Sequence, residues 1–221
     1  MVVQKPGRIN IKGHYSFSSS YSYDGSLLAS GGDGDLVLWD LEKDIVFHKI
    51  EVAGGLVIKT AFSPDGFFVV TANLDGVVRV YTVEKGLLDR QITAHDGAIT
   101  SLSFNKDGKY LALSSADNTV SIWDMWKNMK VAEFLGHTEP VSSIDFSPKG
   151  DLIATCGYDG RIKLWKVEGE TYTLDMRYGK KDKDGLRDIT FDPDGKKLAV
   201  ASNDRIIRVF DVENRNISLF M

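Results

Sequence analysis

Cysteine is almost absent: Cys156 is the single one among 221 residues. No internal disulfide can form and no cysteine-based zinc site can be assembled, which fits a reducing intracellular compartment. Long apolar runs are missing. Nothing approaches the roughly 18 residues of a membrane span, and the opening MVVQKPGRINIKG lacks the apolar core of a secretory signal. The expected location is cytoplasmic or nuclear, away from any membrane. A basic excess is also lacking. Lys and Arg number 27 against 31 Asp and Glu, a formal charge of −4, so no overall field exists to hold nucleic-acid phosphates. The catalytic signatures HExxH and GxSxG and the phosphate-binding loop are absent. GGDGD at 31–35 has neither the trailing helix of a nucleotide loop nor the closing glutamate of a calcium loop. No ten-residue stretch shows helical periodicity with caps.

What is there is a repeat. An aspartate followed six residues later by an aromatic occurs five times: Asp33–Trp39, Asp75–Tyr81, Asp117–Trp123, Asp159–Trp165 and Asp204–Phe210. The aromatics are 42, 42, 42 and 45 residues apart, a period that marks repeated supersecondary units. In each unit an aromatic also stands four residues before a turn glycine, as in Phe62/Gly66 and Phe146/Gly150. The turns SYDG, SPDG, NKDG, SPKG and DPDG supply proline or small polar residues where φ is fixed, and glycine where φ must be positive. Alternating β-prone runs flank each turn. After the aspartate comes a third run with paired apolar residues, such as Val78 and Val80 or Ile162 and Leu164. The residue between them (Val37, Arg79, Ser121, Lys163, Arg208) changes freely, as period-2 alternation between two faces predicts. A fourth run closes each unit.

Four short strands every 42 residues or so describe one blade of a propeller. The chain resembles the WD-repeat β-propellers over essentially its whole length. The motifs are WD at 39–40 and 123–124, GH at 13–14 and 136–137, AH at 94–95, and the turn aspartates. The implied fold is all-β, one domain over 1–221, with five four-stranded blades at approximately 13–52, 53–93, 94–135, 136–178 and 179–221. Residues 7–12 form an extra outer strand. That strand and the NISLF run near the C-terminus are both fourth strands, and a closed five-blade ring needs only one. An incomplete, open propeller or part of a larger one is therefore expected, with a closed ring as the alternative.

The resemblance implies a buried structural tetrad of His, Ser/Thr, Asp and Trp: His137, Thr155, Asp159 and Trp165. Partial versions are His14, Asp33 and Trp39, and His95, Asp117 and Trp123, with Leu113 where the hydroxyl would stand. Repeats two and five have no histidine at that place and are expected to be held by packing more than by such a network. A buried carboxylate needs hydrogen bonds, and five partial copies argue for bracing rather than catalysis. His48 is expected at the surface and Cys156 as an inert buried thiol. Neither implies a cofactor or metal.

The function implied is a non-catalytic protein–protein interaction scaffold, working in a multi-subunit complex or through completion of the propeller by a partner. A ribonucleoprotein component with direct RNA contacts, and a propeller-type hydrolase, are the alternatives. Partner contact is expected on the face carrying the turn aspartates, through Leu74, Tyr158 and Asn203. Lys180, Lys181 and Lys183 in the polar loop 177–185 are further candidates.

Overall fold

The structure, a computed structural model, describes residues 15–166, 176–177, 185–214 and 216–220. They form twenty strands in five four-stranded antiparallel sheets. Blade one is β1 (Ser16–Tyr21), β2 (Leu27–Gly32), β3 (Asp35–Asp40) and β4 (Ile45–Glu51). Blade two is β5 (Val57–Phe62), β6 (Phe68–Asn73), β7 (Val77–Thr82) and β8 (Leu88–Thr93). Blade three is β9 (Ile99–Phe104), β10 (Tyr110–Ser115), β11 (Val120–Asp124) and β12 (Met129–Phe134). Blade four is β13 (Val141–Phe146), β14 (Leu152–Gly157), β15 (Arg161–Lys166) and β16 (Met176–Arg177). Blade five is β17 (Leu186–Phe191), β18 (Lys197–Ser202), β19 (Ile207–Asp211) and β20 (Asn216–Phe220). Each blade is a simple meander. The expected outer strand at 7–12, His14 and the three loop lysines lie outside the described residues.

The turns explain why the strands stop where they do. The residue after each first-strand aromatic caps the β1–β2 type of turn by accepting a backbone N–H five residues on. Ser22 takes Leu27 N at 2.9 Å, Ser63 Phe68 N at 3.0 Å, Asn105 Tyr110 N at 2.8 Å, Ser147 Leu152 N at 3.1 Å and Asp192 Lys197 N at 2.9 Å. Small polar side chains satisfy the turn backbone there. In the aspartate turns, the next residue has positive φ: Gly34, Gly76, Asn118, Gly160 and Arg205, between 70° and 80°. Three glycines and one asparagine suit that conformation, whereas Arg205 adopts it against its side-chain preference. The aspartates of the WD pairs cap the third turn. Asp40 accepts the Glu42 and Lys43 N–H groups, and Asp124 accepts those of Trp126 and Lys127.

The core lies between blades. Ala29, Leu36 and Leu38 of blade one pack on Val57, Phe62, Val69 and Tyr81 of blade two. Equivalent clusters join blades two and three around Val78, Val80, Ile99 and Leu111, and three and four around Ala112, Ile122, Phe146 and Trp165. Blades four and five meet around Ile162, Leu164, Leu186 and Phe210. The first strands follow one another as neighbours, β1 to β5, β9, β13 and β17, whereas β1 and β17 make no comparable contact. The propeller is open, as the surplus fourth strand predicted.

The two ends are unlike. The outward face of blade five carries Ala199, Ala201, Ile207 and Val209, at the positions occupied in blade four by Ala154, Cys156, Ile162 and Leu164. Ile162 is fully buried, while Ile207 is 46% exposed. On the opposite face of blade one the first strand has changed: Ser16 stands where the other blades carry Val57, Ile99, Val141 and Leu186, and exposed Tyr21 stands where they carry phenylalanine, while Val37 and Trp39 of the third strand stay buried. One carboxylate ties three blades together. Asp145 of β13 accepts Ser103 Oγ from blade three at 3.1 Å, and Thr190 Oγ1 and Phe191 N from blade five at 3.0 and 2.9 Å. Burial raises its pKa against the pull of these bonds.

Candidate functional site: blade braces and the aspartate-turn face

The connection between β12 and β13 delivers His137 to the turn between β14 and β15. His137 Nδ1 lies 2.9 Å from Asp159 Oδ2, His137 Nε2 lies 2.9 Å from Thr155 Oγ1, and Trp165 Nε1 donates to the same hydroxyl oxygen at 2.9 Å. Asp159 also accepts the backbone N–H groups of Thr138 and Arg161 at 3.1 and 3.0 Å. The polarity of the chain is fixed at one end. The carboxylate only accepts, so the imidazole donates to it from Nδ1; in the neutral ring Nε2 then accepts the threonine proton, while the threonine oxygen accepts the indole N–H. Burial alone would raise the Asp159 carboxyl. The hydrogen bond from His137, with the two backbone donors, holds it below the ordinary carboxylate range.

Repeat three carries a complete brace, which corrects the expectation drawn from Leu113. His95 Nδ1 is 3.0 Å from Asp117 Oδ2, His95 Nε2 is 2.7 Å from Ser121 Oγ, and Trp123 Nε1 donates to Ser121 Oγ at 3.0 Å. Ser121 is the cross-strand partner of Leu113, as Lys163 is of Thr155. The hydroxyl has moved to the opposite member of one antiparallel pair and kept its role. Thr119 Oγ1 adds a 2.6 Å bond to Asp117.

Repeats two and five carry an ion pair where repeats three and four carry the histidine network. Arg79 donates through both terminal nitrogens to Asp75, at 2.7 and 3.2 Å, and Arg208 pairs with Asp204 in the same bidentate manner. These arginines occupy the position held by Ser121 and Lys163, four residues after the turn aspartate. That position was expected to vary freely. All five of its residues are buried; in blades two to five that face of the inner strand packs on the preceding blade. Where repeat four has its histidine loop, repeat two has Gly54 at φ +81°, and a Cβ there would lie 2.7 Å from Arg79 Nη2 and 2.0 Å from an Asp75 oxygen. Glycine leaves the space that the guanidinium fills. In repeat one Trp39 is buried and Asp33 exposed.

His95 gives the brace a pH response. Burial pushes its pKa below the ordinary histidine value, against the upward pull of Asp117, while Asp117 is held at about 2 by the hydroxyl and backbone of Thr119 and by His95, despite its own burial. A depressed folded pKa means the unfolded chain takes the proton first. The stability from neutral His95 is thus full above the ordinary histidine range and is lost as pH falls. We expect stability to decline between about pH 7 and pH 5, by up to about 1.4 kcal/mol per pH unit, and the decline to be shallower in His95→Gln. Denaturant melts across that range measure both slopes.

The wiring Asp–His–hydroxyl matches that of a hydrolytic triad, but Thr155 and Ser121 are both fully buried and their oxygens already accept an indole N–H. No substrate carbonyl can reach either in the folded sheet. Cys156 is buried, with its thiol pushed up to about 12 by desolvation. His48 lies on β4, its Nε2 3.1 Å from the Glu84 carbonyl. Among the described residues no cluster of three His, Cys, Asp or Glu side chains is arranged to hold a metal. A polar cleft of about 350 Å³ opens beside His95 and Asp117, lined also by Asp96, Lys130 and Glu133.

On the aspartate-turn face, Leu74 is 55% exposed and Tyr158 38%. Leu74 stands apart. Tyr158 and Asn203, in the turns of blades four and five, are brought together by a residue that sequence reasoning missed: Arg187 of β17 donates from Nε to Asn203 Oδ1 at 2.6 Å and from Nη1 to the Tyr158 hydroxyl at 2.5 Å. The available signal was an arginine where the other first strands carry Phe17, Ile58, Thr100 and Ser142.

Stacked four-stranded blades with aspartate turns braced to the inter-blade connections define an open β-propeller of repeated units. The chain belongs to the WD-repeat family: the model of the WD domain, G-beta repeat, matches residues 6–40, 52–82, 86–124, 128–166 and 173–211. It is similar to the small ribosomal subunit protein RACK1y of Oryza sativa subsp. japonica, 38% identical over 73 residues, covering 32% of this chain and 21% of that protein. It is also similar to the general transcriptional corepressor TUP1 of Saccharomyces cerevisiae, 47% identical over 36 residues, covering 16% of this chain and 5% of that protein. The chain thus matches only about a fifth, or less, of the length of these curated relatives. No helix among the described residues is long and apolar enough to cross a membrane.

Proposed function

We propose that the protein is a non-catalytic interaction scaffold that presents its aspartate-turn face to protein partners within a larger intracellular assembly, cytoplasmic or nuclear. The observation that carries this reading is the spending of all the triad-like groups on internal bracing, which leaves rigid blades with exposed Leu74 and Tyr158 at their turns. Membership of the WD-repeat family, and similarity to a ribosomal subunit protein and a corepressor, support a place in a multi-component complex.

The face of blade five that carries half-exposed Ile207 has no blade packed on it among the described residues, which supports completion of the propeller by a partner. Its Ala199, Ala201, Ile207 and Val209 match the faces that blades two to five cover inside the chain. The fitting occupant is therefore another blade-like sheet with branched aliphatic and phenylalanine side chains on its contact face. Affinity capture followed by partner identification tests both surfaces. Tyr158→Ala with Leu74→Ser is expected to leave the melting temperature unchanged and to remove one set of partners, and Ile207→Lys to remove the blade-supplying one. Full capture by all variants overturns the reading. Lys180, Lys181 and Lys183 support the RNA-binding alternative, which a salt-sensitive RNA pull-down tests.

A further inference from the structure

We infer that Arg187, clamped by Tyr158 and Asn203, is a receptor for an aspartate or glutamate carboxylate on a partner peptide; this rests on the aspartate-turn face being the binding surface. Three elements from two blades build the site. Gly185 carries the chain under Tyr158 so closely that a Cβ would lie 2.7 Å from Tyr158 Cδ1 and 3.2 Å from Asn203 Nδ2. The backbone is pinned there by Asn203 N donating to Gly185 O at 3.0 Å. Two residues on, the Arg187 guanidinium sits with its carbon 5.0 Å from the Tyr158 ring centroid and spends one Nε and one Nη1 hydrogen on Asn203 and Tyr158.

What the clamp leaves over is specific. Arginine has five N–H donors in a planar fork. The second Nη1 hydrogen and both Nη2 hydrogens have no partner among the described residues. The end of the fork between the two terminal nitrogens is the edge that a carboxylate takes in bidentate fashion. The Tyr158 hydroxyl, having accepted from Arg187, retains its own proton to donate to the same ligand. Arg79, Arg90 and Arg208 each pair with an aspartate, but Arg187 has no carboxylate at ion-pair distance among the described residues. Among the described residues, the aspartates of this region are committed elsewhere: Asp188 Oδ1 takes Ser143 Oγ and Ile189 N, Asp159 holds His137, and Asp204 holds Arg208. Arg187 is therefore a positive fork, ordered before any ligand arrives and exposed at the junction of blades four and five, on a chain of net charge −4. Holding a long side chain in place beforehand removes much of the ordering cost of binding.

The test uses the whole chain and dodecapeptides selected on it from a random displayed library. The best binder is then made with a fluorescein label, alongside a copy with each Asp and Glu changed to Asn and Gln, and both are titrated by fluorescence anisotropy. Selected peptides are expected to be rich in Asp or Glu. The amide copy should bind at least about tenfold more weakly, and Arg187→Gln should lose about the same factor with an unchanged melt. Arg187→Lys should fall between, keeping the charge and losing the fork. Binding that survives Arg187→Gln and the amide copy, yet is abolished by Tyr158→Ala with Leu74→Ser, overturns the carboxylate site and leaves the binding face standing. Binding indifferent to all these variants, or no selected peptide at all, overturns both. A phosphoserine copy bound at least tenfold better than the carboxylate peptide, or Arg187-dependent binding of a 20-mer oligouridylate without acidic peptides, also overturns it.

Discussion

Replacing Asp159 by alanine is expected to lower stability by about 3 kcal/mol or more, since several donors lose their acceptor at about 1–3 kcal/mol each. For a chain of this size that is a fall in melting temperature on the order of 10 °C. The substitution strands more than one group. His137 Nδ1–H loses its acceptor, and so do the N–H groups of Thr138 and Arg161. The loss sits where the inter-blade connection meets the second turn, so it loosens two blades together. Asp159→Asn keeps one acceptor oxygen but presents an amide to the Thr138 donor, and should cost less than alanine. Because the folded Asp159 pKa is depressed, its contribution is present above the ordinary carboxylate range near pH 4 and is lost as pH falls through the folded value. The alanine variant should therefore lose part of the acid sensitivity of the parent. Differential scanning calorimetry from neutral pH down to about pH 3 reads both effects. A melting temperature equal to the parent's overturns the bracing role.

The period was the readable part of this protein. Asp–aromatic pairs six apart place all five third strands, and the turn glycines place the first and second. Both are local chemistry: a side chain satisfying a turn, or a residue accepting positive φ. What escaped was set by stacking. In a lone sheet the residue between Val78 and Val80 would face water, so Arg79 looked incidental. In stacked blades that face is covered, and a buried arginine must find a carboxylate. It finds Asp75 four residues back. Ser121 escaped for the same reason. Arg187 escaped because its two partners, Tyr158 and Asn203, come from turns 29 residues before it and 16 after it.

The hydroxyl of repeat three suggests that a brace is defined by a place in space and not by a strand, and this can be put to work. Thr155→Leu in repeat four removes the acceptor for Trp165 Nε1 and the donor to His137 Nε2, and adds bulk where Thr155 is fully buried. Two stranded polar groups and some overpacking should together cost about 3 kcal/mol or more. Adding Lys163→Ser converts the pair Thr155–Lys163 into the Leu113–Ser121 pair of repeat three, at the same register. Facing side chains of an antiparallel pair start only about 5 Å apart, and Ser121 Oγ reaches His95 and Trp123 from that side at 2.7 and 3.0 Å. The new serine should therefore restore both bonds. The double variant is expected to regain at least half of the loss, even though Lys163→Ser alone gives up the approach of Lys163 Nζ to within 5.6 Å of the Trp165 ring. Chemical denaturation of the two singles and the double closes the cycle. Strictly additive losses, with no recovery beyond about 0.5 kcal/mol, would show that the second strand is required and that repeat three solves a different problem.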